Sequence, residues 1–168
     1  MGEAEMVAEY KLVWGENDHF KKIDEIMEAI SYNAIKSSSD LALEKGVYAT
    51  YEGSNWSKGI MPHDHAPQAV NALISKDLFD AGYDWDSLRA KVKKDGMRNG
   101  YLMAVAPTSS ISILVGTTQA IEPVYKRKWF EENLSGLIPV VAPKLSPETW
   151  NYYTPAFEID QLQVIKAA

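Results

Sequence analysis

The chain has 168 residues, 46% hydrophobic and 24% charged, so its composition is that of a globular protein and excludes wholesale disorder. Its 23 acidic and 17 basic residues give a net charge of −6, which leaves no basic footprint for nucleic acid or an anionic membrane. The lack of cysteine excludes disulfides, thiolate metal sites and cysteine nucleophiles. No apolar run approaches the ~18 residues of a membrane span and residues 1–10 lack a secretory signal, so we expect a cytoplasmic protein.

The first part of the sequence predicts mainly helices. Residues 1–10 carry an apolar stripe that indicates a helix without a polar lead-in, and apolar residues at steps of three and four predict a long helix from about 18 to 45. Residues 47–67 are rich in Gly, Ser, Asn, Pro and His with interleaved aromatic residues, which is typical of a long ordered loop. A short helix is predicted at 69–79, and a clearer one between a capping aspartate and a glycine stop at 84–96.

The second part predicts alternating strands and short helices. Residues 101–106, YLMAVA, are continuously apolar, as expected of a strand buried on both faces of a parallel sheet, and a short helix follows at 108–116. The remaining predictions are an extended stretch at 121–124, a polar and aromatic connection at 125–132, a strand at 137–141, and helices at 146–153 and from 159 onward. Neither end of the chain carries a helix stop or lead-in, so we expect residues 1–168 to be a single partial domain cut at both ends.

The cluster of hydroxyl residues at 108–110 is the local pattern with the clearest chemical meaning. A helix that begins there leaves its first backbone N–H groups without helical acceptors, and the dipole favours an anion such as phosphate. The cluster contains no Lys or Arg and the sequence lacks a GxxxxGK[ST] loop, so the turn is expected to hold a phosphate rather than transfer it. On this pattern alone, the favoured interpretation is that Thr108 is a simple helix cap and that the serines pack or bond locally.

Four other features are weaker candidates. Residues 63–65 have metal-ligand side chains at a spacing that usually marks a polar turn, so no metal site is predicted. The basic residues 126–128 are interpreted as a solvated surface in preference to a phosphate contact. Glu122 could be a buried carboxylate with a site role or a paired structural glutamate, and His19 is expected to be exposed.

Several blocks of the sequence resemble one family. The segment GMRNGYLMAVAPTSSISILVGTTQAIEPVY, residues 96–125, resembles the second half of the catalytic barrel in the large subunit of class I ribonucleotide reductases. In that family a strand ending in Pro precedes a Thr/Ser-rich turn and short helix, and Ile-Glu-Pro follows about a dozen residues later. Upstream, YATYEGSNWSKGIMPHD and YDWDSLRAKVKKDGMRN are similar to the family's aromatic loop and to its helix before the strand.

The resemblance implies an α/β fold, a helix-rich fragment of a ten-stranded α/β barrel. It also implies that the turn binds the diphosphate of a ribonucleotide substrate. Carried over by position, the substrate contacts would be Pro107, Thr108, Ser109, Ser110 and Ile111, the last through its backbone N–H.

The resemblance further implies what this chain must obtain from elsewhere. Family chemistry uses a cysteine thiyl radical and two reducing cysteines, none of which is present here, so the isolated chain is expected to be inactive. The chain itself is expected to need no cofactor, whereas the parent enzyme would need a dithiol reductant and a radical generator, either a metal-containing small subunit or adenosylcobalamin. Expected partners are a ribonucleoside diphosphate, the rest of the catalytic subunit, the radical-generating small subunit and a second copy of the chain. Two alternatives remain: a non-enzymatic helical interaction module, and an anion or nucleotide binder without chemistry.

Overall fold

The computed structural model describes residues 1–65, 82–134 and 136–168. The chain divides into two compact units, one formed by residues 1–23 with 105–168 and the other by residues 24–104. The helix predicted at 69–79 lies outside the described residues. The single partial domain over 1–168 stays a prediction.

Helices dominate the described part of the chain. They are α1 (Glu3–Glu9), α2 (Asn17–Lys45), α3 (Asn55–Lys58), α4 (Trp85–Asp95), α5 (Ser109–Val115) and α6 (Gln161–Ala167). Short 3₁₀ helices lie at Pro62–His65, Trp150–Tyr152 and Ala156–Glu158. Strands β1 (Lys128–Asn133) and β2 (Gly136–Val141) form an antiparallel pair. Among these described helices, none is long and apolar enough to cross a membrane.

The strongest helix predictions are confirmed, because local capping chemistry determines where these helices begin and end. The long helix α2 ends before Gly46, whose φ of 77° is the left-handed conformation that glycine adopts without strain. The Asp84 carboxylate accepts the backbone N–H of Ser87 at 2.9 Å and caps α4. Asp160 caps α6 in the same way, accepting the N–H of Leu162 at 2.9 Å.

The buried strand predicted at 101–106 is wrong. Residues 101–106 have no regular secondary structure, and Tyr101 and Val105 are 96% and 68% exposed. A strand exists only where a neighbour accepts and donates its backbone hydrogen bonds, and among the described residues none pairs with this segment. The described sheet is two-stranded, so the fold is mixed helix and strand as predicted, while the ten-stranded barrel stays an expectation from the family.

Three further predictions of local structure are corrected. Residues 121–124 begin in a turn and are otherwise irregular rather than a strand, and the connection predicted at 125–132 instead contains most of β1. The helix predicted at 146–153 is reduced to one 3₁₀ turn at Trp150–Tyr152, since Thr149 and Ser146 bond each other's backbone N–H groups. The loop at 47–67 contains α3 and a 3₁₀ turn, although its aromatic side chains do anchor it.

The core of the 24–104 unit is built where α4 packs on α2 and the aromatic loop. Its buried members are Ile35, Tyr51, Met61, Leu88, Val92 and Met97. The Tyr51 hydroxyl donates to the Val92 carbonyl at 2.8 Å, and the Trp56 indole N–H donates to the Gly100 carbonyl at 2.9 Å. The Tyr51 side chain is therefore buried and that of Trp56 partly buried, and the polar atom of each has a hydrogen-bond partner.

The other unit packs its first helix against the C-terminal segment. One buried cluster contains Ala4, Ala8, Val124, Ala142 and Tyr153, and a second contains Val7, Trp14 and Ile159. Burial, with Glu5 and Glu9 nearby, raises the pKa of the Tyr153 phenol above its ordinary value. The hydroxyl therefore stays protonated at neutral pH and donates to the Pro143 carbonyl at 2.5 Å.

A carboxylate pair on α2 predicts a pH-dependent stability. Burial and then the neighbouring Glu28 raise the pKa of Asp24 to about 6, and Glu28 has one buried oxygen without a hydrogen-bond partner among the described residues. Because the folded state holds the Asp24 proton above the pH at which the unfolded chain releases it, stability should fall as pH rises from about 4 to above 6. Asp24→Asn should therefore stabilise the chain by about 1 to 2 kcal/mol at pH 7.5 and have a much smaller effect at pH 4. Denaturant unfolding at both pH values measures this difference, and parallel pH profiles for the two proteins would contradict it.

Candidate functional site

The predicted anion-binding turn lies at the start of α5. Pro107, Ser109, Ser110 and Ile111 are all exposed. The first helical bond runs from the Ser112 N–H to the Thr108 carbonyl at 2.8 Å. The amides of residues 109–111 therefore precede the first N–H that donates within the helix, and they belong to residues that solvent reaches.

Thr108 occupies the cap position but does not cap the helix with its side chain. Its backbone is left-handed, with φ 52° and ψ 22°, a strained conformation for a β-branched residue. Its hydroxyl oxygen instead accepts the backbone N–H of Ala120 at 2.9 Å. The reading of Thr108 as a simple N-cap is thus corrected, because this hydroxyl joins the turn to the residue just before the Ile-Glu-Pro segment.

Ser112 hydrogen-bonds to the first residue of α5, a role that was not predicted from the sequence. It is fully buried, and its hydroxyl donates to the Ser109 carbonyl at 3.0 Å. Its own carbonyl accepts the N–H groups of Gly116 and Thr117, which closes the helix. A serine three positions after the first helical residue is the available signal, but sequence does not distinguish its burial from the exposure of Ser109 and Ser110.

The residues that follow α5 are fixed against α1. The Gly2 N–H donates to the Thr118 carbonyl at 2.9 Å, and the Glu5 N–H donates to the Thr118 hydroxyl at 3.3 Å. The Thr117 hydroxyl donates to the Glu5 carboxylate, which also forms an ion pair with Lys144 at 2.9 Å. The residues that follow α5 are thus held by three hydrogen bonds to Gly2 and Glu5.

The chemistry available at the turn is the recognition of an oxyanion. Backbone amides and two serine hydroxyls are hydrogen-bond donors suited to phosphate oxygens, and the helix dipole adds a favourable field. Residues 107–116 contain no Lys or Arg and no carboxylate. Such a turn can position a phosphate but has no fixed cation to stabilise phosphoryl transfer.

A comparison with family models decides the identity of this fold. Residues 1–168 match the model described as ribonucleotide reductase, barrel domain. The chain belongs to this family. The resemblance noted from residues 96–125 is therefore confirmed, and the chain is part of a reductase barrel domain of an enzyme family.

Relatives of this barrel domain extend across bacteria and animals. The chain is 63% identical over 168 residues to a ribonucleoside-diphosphate reductase subunit alpha of Helicobacter pylori, covering 100% of this chain and 21% of the relative. It is 38% identical over 167 residues to the subunit alpha of Treponema pallidum, covering 99% and 18%. The large subunit of Danio rerio is 36% identical over 121 residues, covering 72% and 14%. The chain thus spans about a fifth of the length of the first of these relatives.

Other candidate residues of the barrel domain have structural partners. Asp64 forms an ion pair with Arg89, which lowers the pKa of Asp64 to about 2. Among the residues that the structure describes, no group of three His, Asp or Glu side chains is placed to hold a metal ion. Of the two interpretations of Glu122, the buried carboxylate is wrong, because Glu122 is exposed. The expectation of an exposed His19 is also wrong, because His19 is fully buried.

His19 is buried because both of its ring nitrogens have partners. Its Nδ1 accepts the Gly15 N–H at 2.9 Å, and its Nε2 lies 3.2 Å from a carboxylate oxygen of Glu3. Since Nδ1 acts as the acceptor, the ring proton sits on Nε2 and is donated to Glu3.

The basic residues at 126–128 lie over aromatic rings, with Arg127 and Lys128 each 5.4 Å from the centre of the Trp150 ring.

Proposed function

We propose that this chain is the part of a ribonucleoside-diphosphate reductase catalytic subunit that binds the diphosphate of the substrate. The observation that carries the proposal is the exposed turn at residues 107–111, whose amides precede the first N–H that donates within the helix, in a chain of this family. The contacts are assigned to Pro107, Thr108, Ser109, Ser110 and Ile111. The substrate class follows from the printed name of the relatives, ribonucleoside-diphosphate reductase.

In this proposal the turn positions the substrate and leaves the chemistry to other residues. The amides of residues 109–111 donate to one phosphate group, and the hydroxyls of Ser109 and Ser110 are free to donate to its other oxygens. The bond from Ala120 to Thr108 holds the strained cap in place, so the donors are oriented before the substrate arrives. The reduction of DNA precursors would then depend on this turn for substrate orientation.

The hydrogen abstraction and the reduction are assigned to parts of the catalytic subunit outside this chain. The sequence has no cysteine, so no thiyl radical or reducing dithiol can form on its residues. A metal-containing small subunit or adenosylcobalamin would supply the radical, and an external dithiol would supply the electrons. The described residues offer neither a thiolate nor a cluster of three His, Asp or Glu side chains that could hold a metal ion. The isolated chain is therefore proposed to bind substrate without turning it over.

Isothermal titration of the 168-residue chain tests this proposal. A ribonucleoside diphosphate and inorganic pyrophosphate should both bind, since the diphosphate supplies the recognised oxygens, and the ribonucleoside without phosphate should give no heat. The uncharged nucleoside is the matched control for contacts to the base and sugar. Equal binding of nucleoside and diphosphate, or no diphosphate binding up to millimolar concentrations, would contradict the assignment.

A further inference from the structure

The β1–β2 hairpin exposes apolar side chains and leaves both of its outer edges without a partner strand. Phe130 is 67% exposed, and Leu137 and Val141 are also exposed. Among the described residues the hairpin is the whole sheet, and no backbone hydrogen bond joins either outer edge to another segment. Unpaired strand edges of this kind are templates for pairing with another chain.

The register shows which backbone groups point outward. The ladder continues with the Ala142 N–H donating to the Arg127 carbonyl at 2.9 Å, so the odd-numbered residues of β1 face β2. The N–H and C=O groups of Lys128, Phe130 and Glu132 therefore face away from the hairpin.

The two outer edges are not equivalent. On β2 the outward-facing positions include Pro139, which lies opposite Phe130 and has no N–H to donate. A proline at the centre of an edge blocks continuous pairing there. The outer edge of β1 has an N–H at each of its three outward positions, so it is the edge able to accept another strand.

The charges along β1 identify its partner. The outward positions read Lys128, Phe130, Glu132, with a cation at one end and an anion at the other. Antiparallel pairing of this strand with itself, centred on Phe130, sets Lys128 of each copy opposite Glu132 of the other. All three opposed pairs then use outward-facing backbone groups and are hydrogen-bonded pairs. Neither Lys128 nor Glu132 forms an ion pair with any described residue.

We propose that two copies of this chain associate through β1, forming a four-stranded antiparallel sheet in the order β2, β1, β1, β2 about a two-fold axis at Phe130. The two exposed phenylalanine rings meet at the axis and are flanked by two lysine–glutamate pairs. Lys128 and Glu132 lie on the same face of the strand because they are an even number of residues apart. This assignment is independent of the diphosphate site, because it uses none of residues 107–111.

Charge reversal measured by sedimentation equilibrium tests the pairing. In either single variant, Lys128→Glu or Glu132→Lys, positions 128 and 132 carry the same charge. Both symmetry-related 128–132 pairs of the dimer then become repulsive, so each single variant should weaken the dimer roughly tenfold or more. The double variant restores opposite charges and should return the dissociation constant to within about threefold of the wild type. Lys126→Glu carries the same charge change outside the strand and should leave the dimer unchanged. A monomeric wild type at 200 µM, or a double variant no tighter than the single ones, would overturn the proposal.

A disulfide trap gives a second, independent measurement in a chain without cysteines. Phe130→Cys should form an oxidised dimer rapidly, because residues opposed in a hydrogen-bonded antiparallel pair have Cα atoms about 5.5 Å apart, within disulfide range. Leu137→Cys is the matched control, since that exposed β2 residue would lie about three strand spacings from its symmetry mate. Cross-linking at position 130 no faster than at position 137 would overturn the proposal, whatever the behaviour of the charge variants.

Discussion

Ser110→Asp is expected to weaken binding of a ribonucleoside diphosphate to this chain by at least roughly tenfold, because the new carboxylate faces the substrate phosphates. Ser110 is exposed at the second position of α5, before Ser112, whose N–H is the first to donate within the helix. An acidic side chain in the first turn of a helix interacts favourably with the helix dipole, so the substitution should not unfold α5. Isothermal titration of the wild type and the variant measures the change.

Ser37→Asp is the matched control, with the same charge change at an exposed position of α2. It should leave the dissociation constant within about twofold of the wild type, since Ser37 is not among the residues assigned to the phosphate contacts and surface charges are screened by salt. Equal affinities for the wild type and Ser110→Asp would mean that the diphosphate binds elsewhere on the chain.

Leu88→Ala is expected to lower the free energy of unfolding by roughly 3 kcal/mol, the typical cost of a leucine truncated in a close-packed core. Leu88 is 2% exposed and lies among Ile35, Met61 and Val92, so its removal leaves a cavity between α4 and its neighbours. Because α2 and α4 contain most of the described helix, far-UV circular dichroism during guanidinium unfolding follows the loss.

The control for the core prediction is Leu43→Ala, at a leucine of α2 that is 64% exposed. It should change the free energy of unfolding by less than about 0.5 kcal/mol, because little apolar area is uncovered. A Leu88→Ala protein as stable as this control would mean that α4 does not pack against α2 as described.

The helices could be predicted from sequence because their signals are local. Apolar spacing defines α2, and Asp84, Gly96 and Asp160 mark helix ends by bonds that span only a few residues. The irregular conformation of YLMAVA at 101–106 could not be predicted in this way, since a strand depends on a partner distant in sequence. Only one strand of the hairpin was predicted, for the same reason. The apolar run of β2 indicates a strand, whereas the charged residues of KWFEEN in β1 indicate a surface connection, and only the pairing with β2 makes this segment a strand.

The candidate site shows the same division. The position of the turn and the start of α5 followed from the residues around Pro107. The left-handed backbone of Thr108 accompanies a hydrogen bond to Ala120, twelve residues away. Helix-capping patterns involve neighbouring residues only, so they do not predict this contact. The burial of His19 depends likewise on Glu3, sixteen residues away, and for that reason the expectation of an exposed histidine was wrong.

Amide proton shifts test the central claim most directly. In a ¹H–¹⁵N spectrum of the labelled chain, adding a ribonucleoside diphosphate should shift the amides of Ser109, Ser110 and Ile111 far more than those of exposed α2 residues, and inorganic pyrophosphate should reproduce these shifts. If the diphosphate binds while these three amides do not move, the turn behind Pro107 is not the site that receives it.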